Sequence, residues 1–288
     1  MTNNIVQKVA IQGINGSYHG IAARNFFEGQ RAVELIDCNT FRDVIETVKN
    51  MPSVAGAIAI ENTIAGSLLN NHELIRASGL MVVGEYKLRI SHCLAALPGT
   101  ILEQIEEINS HPMALMQCES FLEKLPHVRI VERDDTATSA RLVCQNQSKG
   151  HAAICGVEAA KIYGLEVIAE SIESNKHNFT RFLIVMSSKL AEFFDREKNK
   201  ASLVFAVHHS VGSLSQILTV LSFYGMNLTK LQSYPLIGTA WEYLFYVDLT
   251  FDDYARYQRA LDAVLPLAGE LKILGEYTEA GMGGRLRP

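Results

Sequence analysis

The stretch AGAIAIENTIAGS, residues 55–67, carries the clearest fold signal in this chain. Its first part, AGAIAI (55–60), has six small or apolar residues without a polar interruption, which is typical of a strand buried on both faces. The sequence then turns polar at Glu61 and Asn62, where the chain leaves the core. The stretch therefore predicts a central strand of a covered sheet whose end opens into a cleft.

Short apolar runs alternate with helix-like segments on both sides of this strand, from Lys8 to Met186. The other predicted strands of this part are VAIQG (9–13), AVELIDC (32–38), MVVGEYKLRI (81–90), EEINS (106–110), VRIVERD (128–134), HAAICG (151–156) and TRFLIV (180–185). Alternation of this kind predicts α/β units with parallel pairing of the strands.

The charge-rich segment SSKLAEFFDREKNK (187–200) interrupts the alternation and predicts a linker. Beyond it, the patterns of apolar residues predict strand, helix, strand, strand, helix and strand in that order. This βαββαβ pattern is typical of a ferredoxin-like unit. We therefore predict a first domain at 1–186, a linker at 187–200, a second domain at 201–280 and a frayed tail at 281–288.

Composition excludes several classes of protein. The formal net charge of -5 argues against a nucleic-acid binder, because contact with phosphates needs a basic surface. The five cysteines are scattered and the nine histidines lack metal-site spacing, so neither a disulfide framework nor a metal site is expected. The sequence has no signal peptide and no apolar run near the roughly 20 residues that span a bilayer. We expect a cytoplasmic protein with reduced thiols and no membrane partner.

Five polar clusters follow predicted strands of the first domain, where the carboxyl ends of strands gather ligands. They are GINGS (13–17), ENTIAGS (61–67), SHP (110–112), DDTATSA (134–140) and NFTRF (178–182). Taken alone, the GINGS, SHP and DDTATSA clusters are explained at least as well by helix caps, and Arg181 by an internal salt bridge. For ENTIAGS the functional interpretation is favoured, because a carboxylate and an amide directly after AGAIAI need partners. Together they would line a cleft with hydroxyls, amides and one cation, which suits a small polycarboxylate.

Arg181 is the cation of this group, and it directly precedes an apolar run. A desolvated guanidinium is costly unless an anion meets it, so either the protein or a ligand has to supply that anion. A structural salt bridge is the default for a lone arginine, but the four other clusters of the same domain favour a ligand.

In this order, the clusters resemble the prephenate dehydratase family over nearly the whole chain. ENTIAGS resembles the family's E-N-S-x-x-G-S segment, SHPMALMQC its S-H-P-x-A-L-x-Q-C segment, DDTATSA its D-T-A-x-x-A segment, and NFTRF its N-x-T-R-F motif. GINGS stands where the family usually has G-P-x-G-[ST]. The resemblance implies a two-lobed catalytic domain, similar to the type II periplasmic-binding fold, followed by an ACT domain, a small-molecule sensor.

The implied reaction is the conversion of prephenate to phenylpyruvate with release of carbon dioxide and water, without a cofactor. The resemblance also implies a homodimer or homotetramer with L-phenylalanine as the effector. Thr180 would donate a hydrogen bond to the departing hydroxyl, with Asn62 and Glu61, whose pKa would be raised in the cleft, as further catalytic candidates. The expected substrate-binding residues are Arg181, Phe182, Ser17, Ser67, Ser110, His111 and Thr136.

In the ACT domain, GSLS (212–215) stands where the family has G-A-L-V, and QSYP (232–235) where it has E-S-R-P. The expected effector-binding residues are Gly212, Leu214, Ser233 and Pro235.

Three alternatives stay open at this stage. An arogenate dehydratase would act on the transaminated substrate, and the motifs do not separate the two substrates. A non-catalytic small-molecule sensor would use the same pair of lobes. In a purely structural interpretation, the clusters are caps, Arg181 is paired internally, and Thr180→Ala costs only a little stability.

Overall fold

The computed structural model describes residues 6–194, 197–207, 210–235 and 243–281. The strands are β1 (Val6–Gln12), β2 (Ala32–Cys38), β3 (Ala55–Asn62), β4 (Gly66–Ser67), β5 (Met81–Arg89), β6 (Cys93–Ala96), β7 (Glu107–Ser110), β8 (Arg129–Glu132), β9 (His151–Cys155), β10 (Glu166–Ala169), β11 (Phe179–Met186), β12 (Lys200–Ala206), β13 (Asn227–Pro235), β14 (Tyr243–Thr250) and β15 (Glu270–Tyr277). The helices are α1 (Tyr18–Phe27), α2 (Phe41–Asn50), α3 (Leu69–Ser78), α4 (Pro112–Gln117), α5 (Glu119–Leu122), α6 (Thr136–Asn146), α7 (Val157–Ile162), α8 (Ser188–Ala191), α9 (Ser213–Phe223) and α10 (Tyr254–Val264), with 3₁₀ turns at Leu102–Gln104 and Leu265–Leu267.

The first sheet has the strand order β2-β1-β3-β11-β5, and the short β4 pairs with the end of β3. The prediction for residues 55–60 is confirmed, because β3 is central and these six residues are buried. The prediction of parallel pairing holds for β1 with β2 and with β3. It is wrong for β11, which runs antiparallel to both β3 and β5 because the chain re-enters this sheet from the opposite end.

The second sheet, in the order β10-β6-β9-β7-β8, is built only from residues between Cys93 and Ala169. It forms a second lobe, inserted into the chain between β5 and β11 of the first. The chain crosses between the lobes twice, at residues 90–92 and at 170–178. The two-lobed architecture is therefore as predicted, although the short strands β6 and β10 were missed.

The third sheet, in the order β13-β14-β12-β15, is antiparallel throughout and carries α9 and α10. This confirms the predicted βαββαβ unit. Its first strand begins at Lys200, and the predicted linker contains the short α8. The domain boundaries themselves stay predictions, and the predicted tail lies outside the described residues except for Gly281.

The third sheet is a layer between its own helices and the first lobe. Along β14, alternate side chains face opposite sides, as strand geometry requires. Leu244 and Tyr246 join a buried cluster with Val82 of the first sheet, whereas Val247 packs toward the helices. Apolar burial on both faces therefore attaches this sheet to the first lobe.

Two further expectations can be compared with the structure. All five cysteines are free thiols, as expected. None of the described helices is long and apolar enough to cross a membrane.

Gly275 of β15 tests this packing. A Cβ at this position would overlap the backbone carbonyl of Val82 in β5, which cannot move without shifting the sheet. We expect Gly275→Ala to lower the free energy of unfolding by more than about 3 kcal/mol. Gly84→Ala is the comparison, because its Cβ would lie 2.5 Å from the Phe26 ring, a side chain that can move.

For Gly84→Ala we expect a smaller loss, about 1–3 kcal/mol. Urea unfolding of the three proteins measures both losses. Equal stability of Gly275→Ala and the wild type would contradict the described contact between the first and third sheets.

Candidate active site

A cavity of about 410 Å³ lies between the two lobes. Its walls come from both lobes and from the crossings between them. The lining residues are Gln12, Tyr18, His19, Phe41, Ala59, Asn62, Ala65, Leu68, Ile90, His92, His111, Met113, Ala114, Gln117, Asp134, Asp135, Thr136, Thr180 and Phe182. This inter-lobe cleft is the place where the sequence predicts a site.

Five of the predicted catalytic and substrate-binding residues line the cleft. They are Asn62, Thr180, Phe182, His111 and Thr136. His111 is also the N-cap of α4, where Nδ1 accepts a hydrogen bond from the Met113 N–H at 3.2 Å. Thr136 is the first residue of α6.

Three predicted hydroxyls have internal partners and do not line the cleft. Ser17 caps α1 by accepting from the Gly20 N–H, and the Ser110 hydroxyl donates to the Ile154 carbonyl at 2.7 Å. The Ser67 hydroxyl accepts from Lys230 of the third sheet at 2.9 Å. Ser17, Ser67 and Ser110 are not among the residues that line the cleft, so their expected role in binding substrate stays a prediction.

Arg181 points away from the cleft. Successive side chains of a strand face opposite sides, so Thr180 and Phe182 face the cleft while Arg181 faces the third sheet. Its Nε lies 3.0 Å from a Glu85 oxygen and its Nη1 3.0 Å from a Glu61 oxygen, and Nη2 pairs with Asp248. The expectation that substrate supplies the anion for Arg181 is wrong, because the protein supplies three.

Glu61 lies in the same group of charges, outside the cleft. Burial opposes its ionisation, but the attraction of Arg181 and Lys230 outweighs burial and lowers the pKa of Glu61. The expected raised pKa is therefore wrong, and this carboxylate stays charged rather than delivering a proton.

Asn62 holds Thr180 in a defined orientation. The Asn62 amide oxygen accepts the backbone N–H groups of Ile64 and Ala65, both at 2.9 Å, so the amide nitrogen has to be the donor on the other side. That nitrogen donates to Thr180 Oγ1 at 2.9 Å and to Asn178 Oδ1 at 2.7 Å. Because the Thr180 oxygen accepts this bond, the hydroxyl's own proton is free for a ligand in the cleft.

The hydrogen-bond chain continues across the lobes. Asn178 Nδ2 donates to Gln117 Oε1 at 2.9 Å, and His92 Nε2 lies 3.0 Å from the same oxygen. Since that oxygen can only accept, His92 carries its proton on Nε2. Burial lowers the pKa of His92, which favours the neutral ring, and its Nδ1 lies 2.9 Å from the Tyr18 hydroxyl, which also donates to the Ser91 carbonyl at 2.7 Å.

The Gln117 amide nitrogen has no hydrogen-bond partner in the part of the chain that the structure describes. Its oxygen is held by two donors and its side chain lines the cleft. The nitrogen is therefore a second donor available to a ligand.

Sequence reasoning missed four of these residues as functional candidates. Gln117 and Asn178 stand inside the motifs SHPMALMQC and NFTRF, and Tyr18 directly follows GINGS, so local signals existed for three of them. His92 lies at the crossing between β5 and β6, and no motif marks it.

The cleft wall is poor in positive charge. Among its described lining residues there is no lysine or arginine, and burial lowers the pKa of His19 to about 4, which leaves that ring neutral. Burial also raises the pKa of Asp135, whose Oδ2 caps α6 by accepting the Thr138 N–H at 2.8 Å. The donors that the cleft offers are therefore uncharged hydroxyl, amide and imidazole groups.

The predicted effector residues divide between two places. Gly212 and Leu214 line an open groove of about 920 Å³ beside α9, together with Phe223, Tyr243 and others. Ser233 and Pro235 are exposed on β13 and do not line that groove.

Two α/β lobes around a polar cleft, joined to an antiparallel βαββαβ sheet, define an enzyme for a small molecule with an added domain of the ligand-sensing type. The family model of prephenate dehydratase matches residues 9–190. The chain belongs to the prephenate dehydratase family, whose members are hydro-lyases.

Relatives of established name agree with this assignment. The bifunctional chorismate mutase/prephenate dehydratase of Enterobacter agglomerans is 33% identical over 273 residues, which cover 94% of this chain and 70% of that protein. Arogenate dehydratase 1 of Petunia hybrida is 35% identical over 287 residues, covering 94% of this chain and 66% of the relative. The chain thus spans about two thirds of the length of these relatives.

Two solved structures share the fold over nearly the whole chain. The structure of GqqA, described as a novel type of quorum quenching acylase, has a TM-score of 0.82 at 29% identity and covers 94% of this chain and 97% of that one. The prephenate dehydratase of Arthrobacter aurescens in complex with L-Phe has a TM-score of 0.82 at 24% identity, with 98% of this chain and 92% of that one covered.

Asn62→Asp tests the described chain of hydrogen bonds. The substitution replaces a donor nitrogen by a carboxylate oxygen that would face acceptors at Asn178 and Phe179, so we expect a loss of about 1–3 kcal/mol in the free energy of unfolding. The control is Asn25→Asp, because Asn25 also donates from its amide nitrogen, to the Tyr86 hydroxyl, which is an oxygen that can accept or donate. Urea unfolding compares the two, and equal losses would contradict the assigned orientation of Asn62.

Proposed function

We propose that this chain converts prephenate to phenylpyruvate, carbon dioxide and water in the inter-lobe cleft. The observation that carries the proposal is the Thr180 hydroxyl, whose oxygen accepts from Asn62 and whose proton is free at the cleft wall. Membership of the prephenate dehydratase family supports the choice of substrate.

The reaction needs a donor for the leaving oxygen. The bond from the ring to its carboxylate breaks, and that electron pair moves into the ring as it becomes aromatic. The ring hydroxyl on the opposite carbon departs and takes up a proton to leave as water. Thr180 is not an acid at neutral pH, so its role is to stabilise the departing oxygen with a hydrogen bond, with Gln117 as a second donor.

The lack of cations among the described lining residues suits the decarboxylation step. The ring carboxylate loses its negative charge as carbon dioxide forms. A guanidinium or ammonium bound to that carboxylate would stabilise the charged ground state more than the transition state. Neutral donors avoid this penalty, and their fixed positions favour the charge that develops on the leaving oxygen.

Arogenate dehydratase is the alternative within the family, and a Petunia relative bears that name. Arogenate carries an amino group where prephenate carries the side-chain keto group, and the ring chemistry is the same. Assays with both substrates on one preparation separate the two activities.

Amide hydrolysis is a second candidate because a structural neighbour is described as an acylase. An acylase that works through a nucleophile needs a hydroxyl or thiol beside a general base. The lining residues in the described part of the chain include no serine or cysteine, and the partner of Thr180 Oγ1 is a donor, Asn62. These features favour the dehydratase, and release of an amine from an N-acyl amide tests the alternative.

The third sheet is proposed to bind L-phenylalanine and to pair with a second copy of the chain, in a homodimer or homotetramer. Support comes from the groove at Gly212 and Leu214 and from the edge strand β13, an ordinary template for pairing. Apolar side chains are exposed on this side of the sheet, with Phe223 85% and Leu231 44% accessible. The relative from Arthrobacter aurescens was crystallised with L-Phe.

A cytoplasmic location stays a prediction.

Thr180→Val tests the proposed reaction, since valine keeps the shape and removes the hydroxyl. We expect phenylpyruvate formation to fall on the order of 100-fold or more, with circular dichroism unchanged, because the leaving oxygen loses its donor. Thr180→Ser keeps the hydroxyl and should retain most of the rate. Full activity in Thr180→Val, or no wild-type turnover of prephenate or arogenate, would overturn the proposal.

Phe223→Glu tests the proposed assembly. A charge on this exposed ring position would be buried unpaired in a paired interface, so we expect a lower mass by light scattering and a weaker response of the rate to L-phenylalanine. Phe193→Glu is the control, because Phe193 is 80% exposed but lies outside the third sheet. An unchanged mass of Phe223→Glu would contradict pairing on this face.

A further inference from the structure

Six charged side chains meet where the first and third sheets pack together. Three come from the first sheet and three from the third: Glu61, Glu85 and Arg181, and Lys200, Lys230 and Asp248. The first sheet contributes one net negative charge to this group and the third sheet one net positive charge. The net charges that the two sheets contribute to this group therefore cancel.

Lys230 is the member of this group that contacts both Glu61 and Ser67 of the first lobe. Its side chain is only 7% exposed, and Nζ lies 2.5 Å from Glu61 Oε2 and 2.9 Å from Ser67 Oγ. A buried ammonium without partners is strongly unfavourable, so these two contacts hold Lys230 and its partners in one geometry.

The two partners of Lys230 face each other across a tight turn. Glu61 of β3 pairs with Ser67 of β4, and Asn62 pairs with Gly66 in the same short ladder. The Asn62 amide oxygen accepts the N–H groups of Ile64 and Ala65, which lie inside that turn. One lysine of the third sheet therefore holds both strands of the turn that orients Asn62.

The step from Asn62 to the reacting hydroxyl is direct. In the register between β3 and β11, Asn62 is opposite Thr180 and Glu61 is opposite Arg181. Asn62 donates to the Thr180 oxygen at 2.9 Å. A displacement of the Glu61–Ser67 pair would therefore change the direction in which the Thr180 proton points.

We propose that Lys230 is a positioning residue of the dehydratase cleft, supplied by the third sheet. It holds Glu61 and Ser67 so that Asn62 presents the Thr180 hydroxyl, and it does not touch the substrate. Lys230 stands on β13, two residues before QSYP (232–235), so any shift of that strand reaches the cleft through this contact. The inference rests on the proposed function only in naming the reaction that Thr180 serves.

The test uses the full chain with Lys230→Met, Lys230→Arg and the control Lys272→Met. Lys272 also extends from the third sheet to the first lobe, where Nζ donates to the Arg76 carbonyl at 2.6 Å, in the last turn of α3 and not at the Glu61 turn. Steady-state kinetics give kcat and KM, and the side-chain amide resonances of Asn62 report its hydrogen bonds independently of activity.

For Lys230→Met we expect kcat to fall on the order of tenfold with KM little changed, because orientation is lost while the substrate contacts remain. The Asn62 amide resonances should shift in this variant and not in Lys272→Met, and Lys230→Arg should recover most of kcat. Unchanged kcat and unchanged Asn62 resonances in Lys230→Met would overturn the proposal, as would equal losses in Lys230→Met and Lys272→Met.

A wild-type protein inactive on prephenate and arogenate would refute the proposed function. The resonances of Asn62 in the three variants would then decide by themselves whether Lys230 positions that residue.

Discussion

The buried guanidinium of Arg181 is the interaction on which the other parts of this molecule depend. It pairs with Glu61 on one neighbouring strand, with Glu85 on the other, and with Asp248 of the third sheet. Burial opposes the ionisation of Asp248, but Arg181, the Ser202 hydroxyl and Lys200 together outweigh burial and lower the pKa of that carboxyl. Loss of the guanidinium would leave three carboxylates with only Lys200 and Lys230 to balance their charge. The ion pairs of Arg181 thus hold the face of β11 that is opposite to the face carrying Thr180.

The cleft, by contrast, is organised by a series of neutral hydrogen bonds, and the direction of each bond follows from the orientation of the Asn62 amide. Two backbone N–H groups fix the Asn62 amide, which fixes Asn178, and Asn178 in turn fixes the oxygen of Gln117. Reversing the direction of any of these hydrogen bonds would place two donors or two acceptors together. The free proton of Thr180 and the free amide of Gln117 are therefore oriented before any substrate arrives, which is the kind of preorganisation that lowers a barrier.

Patterns within single elements predicted much of this fold, and contacts between distant segments account for what they missed. The apolar run at 55–60 was enough to predict the central strand, and the βαββαβ order followed from alternating patterns alone. The partners of Arg181 could not be predicted, because Asp248 belongs to another sheet and Glu85 to a strand almost a hundred residues earlier. The alternation of Thr180 and Arg181 on one strand did contain the information that the two face opposite sides.

The position of β11 has a consequence for how the chain folds during synthesis. This strand fills the gap between β3 and β5, yet it follows the whole second lobe in the sequence. Until residue 186 has left the ribosome, β3 and β5 each keep an unpaired edge, whereas the strands between Cys93 and Ala169 can already complete their own sheet. The second lobe can therefore form its sheet before the first lobe does, and closing the first sheet requires a contact of long sequence separation, a kind of contact that slows folding.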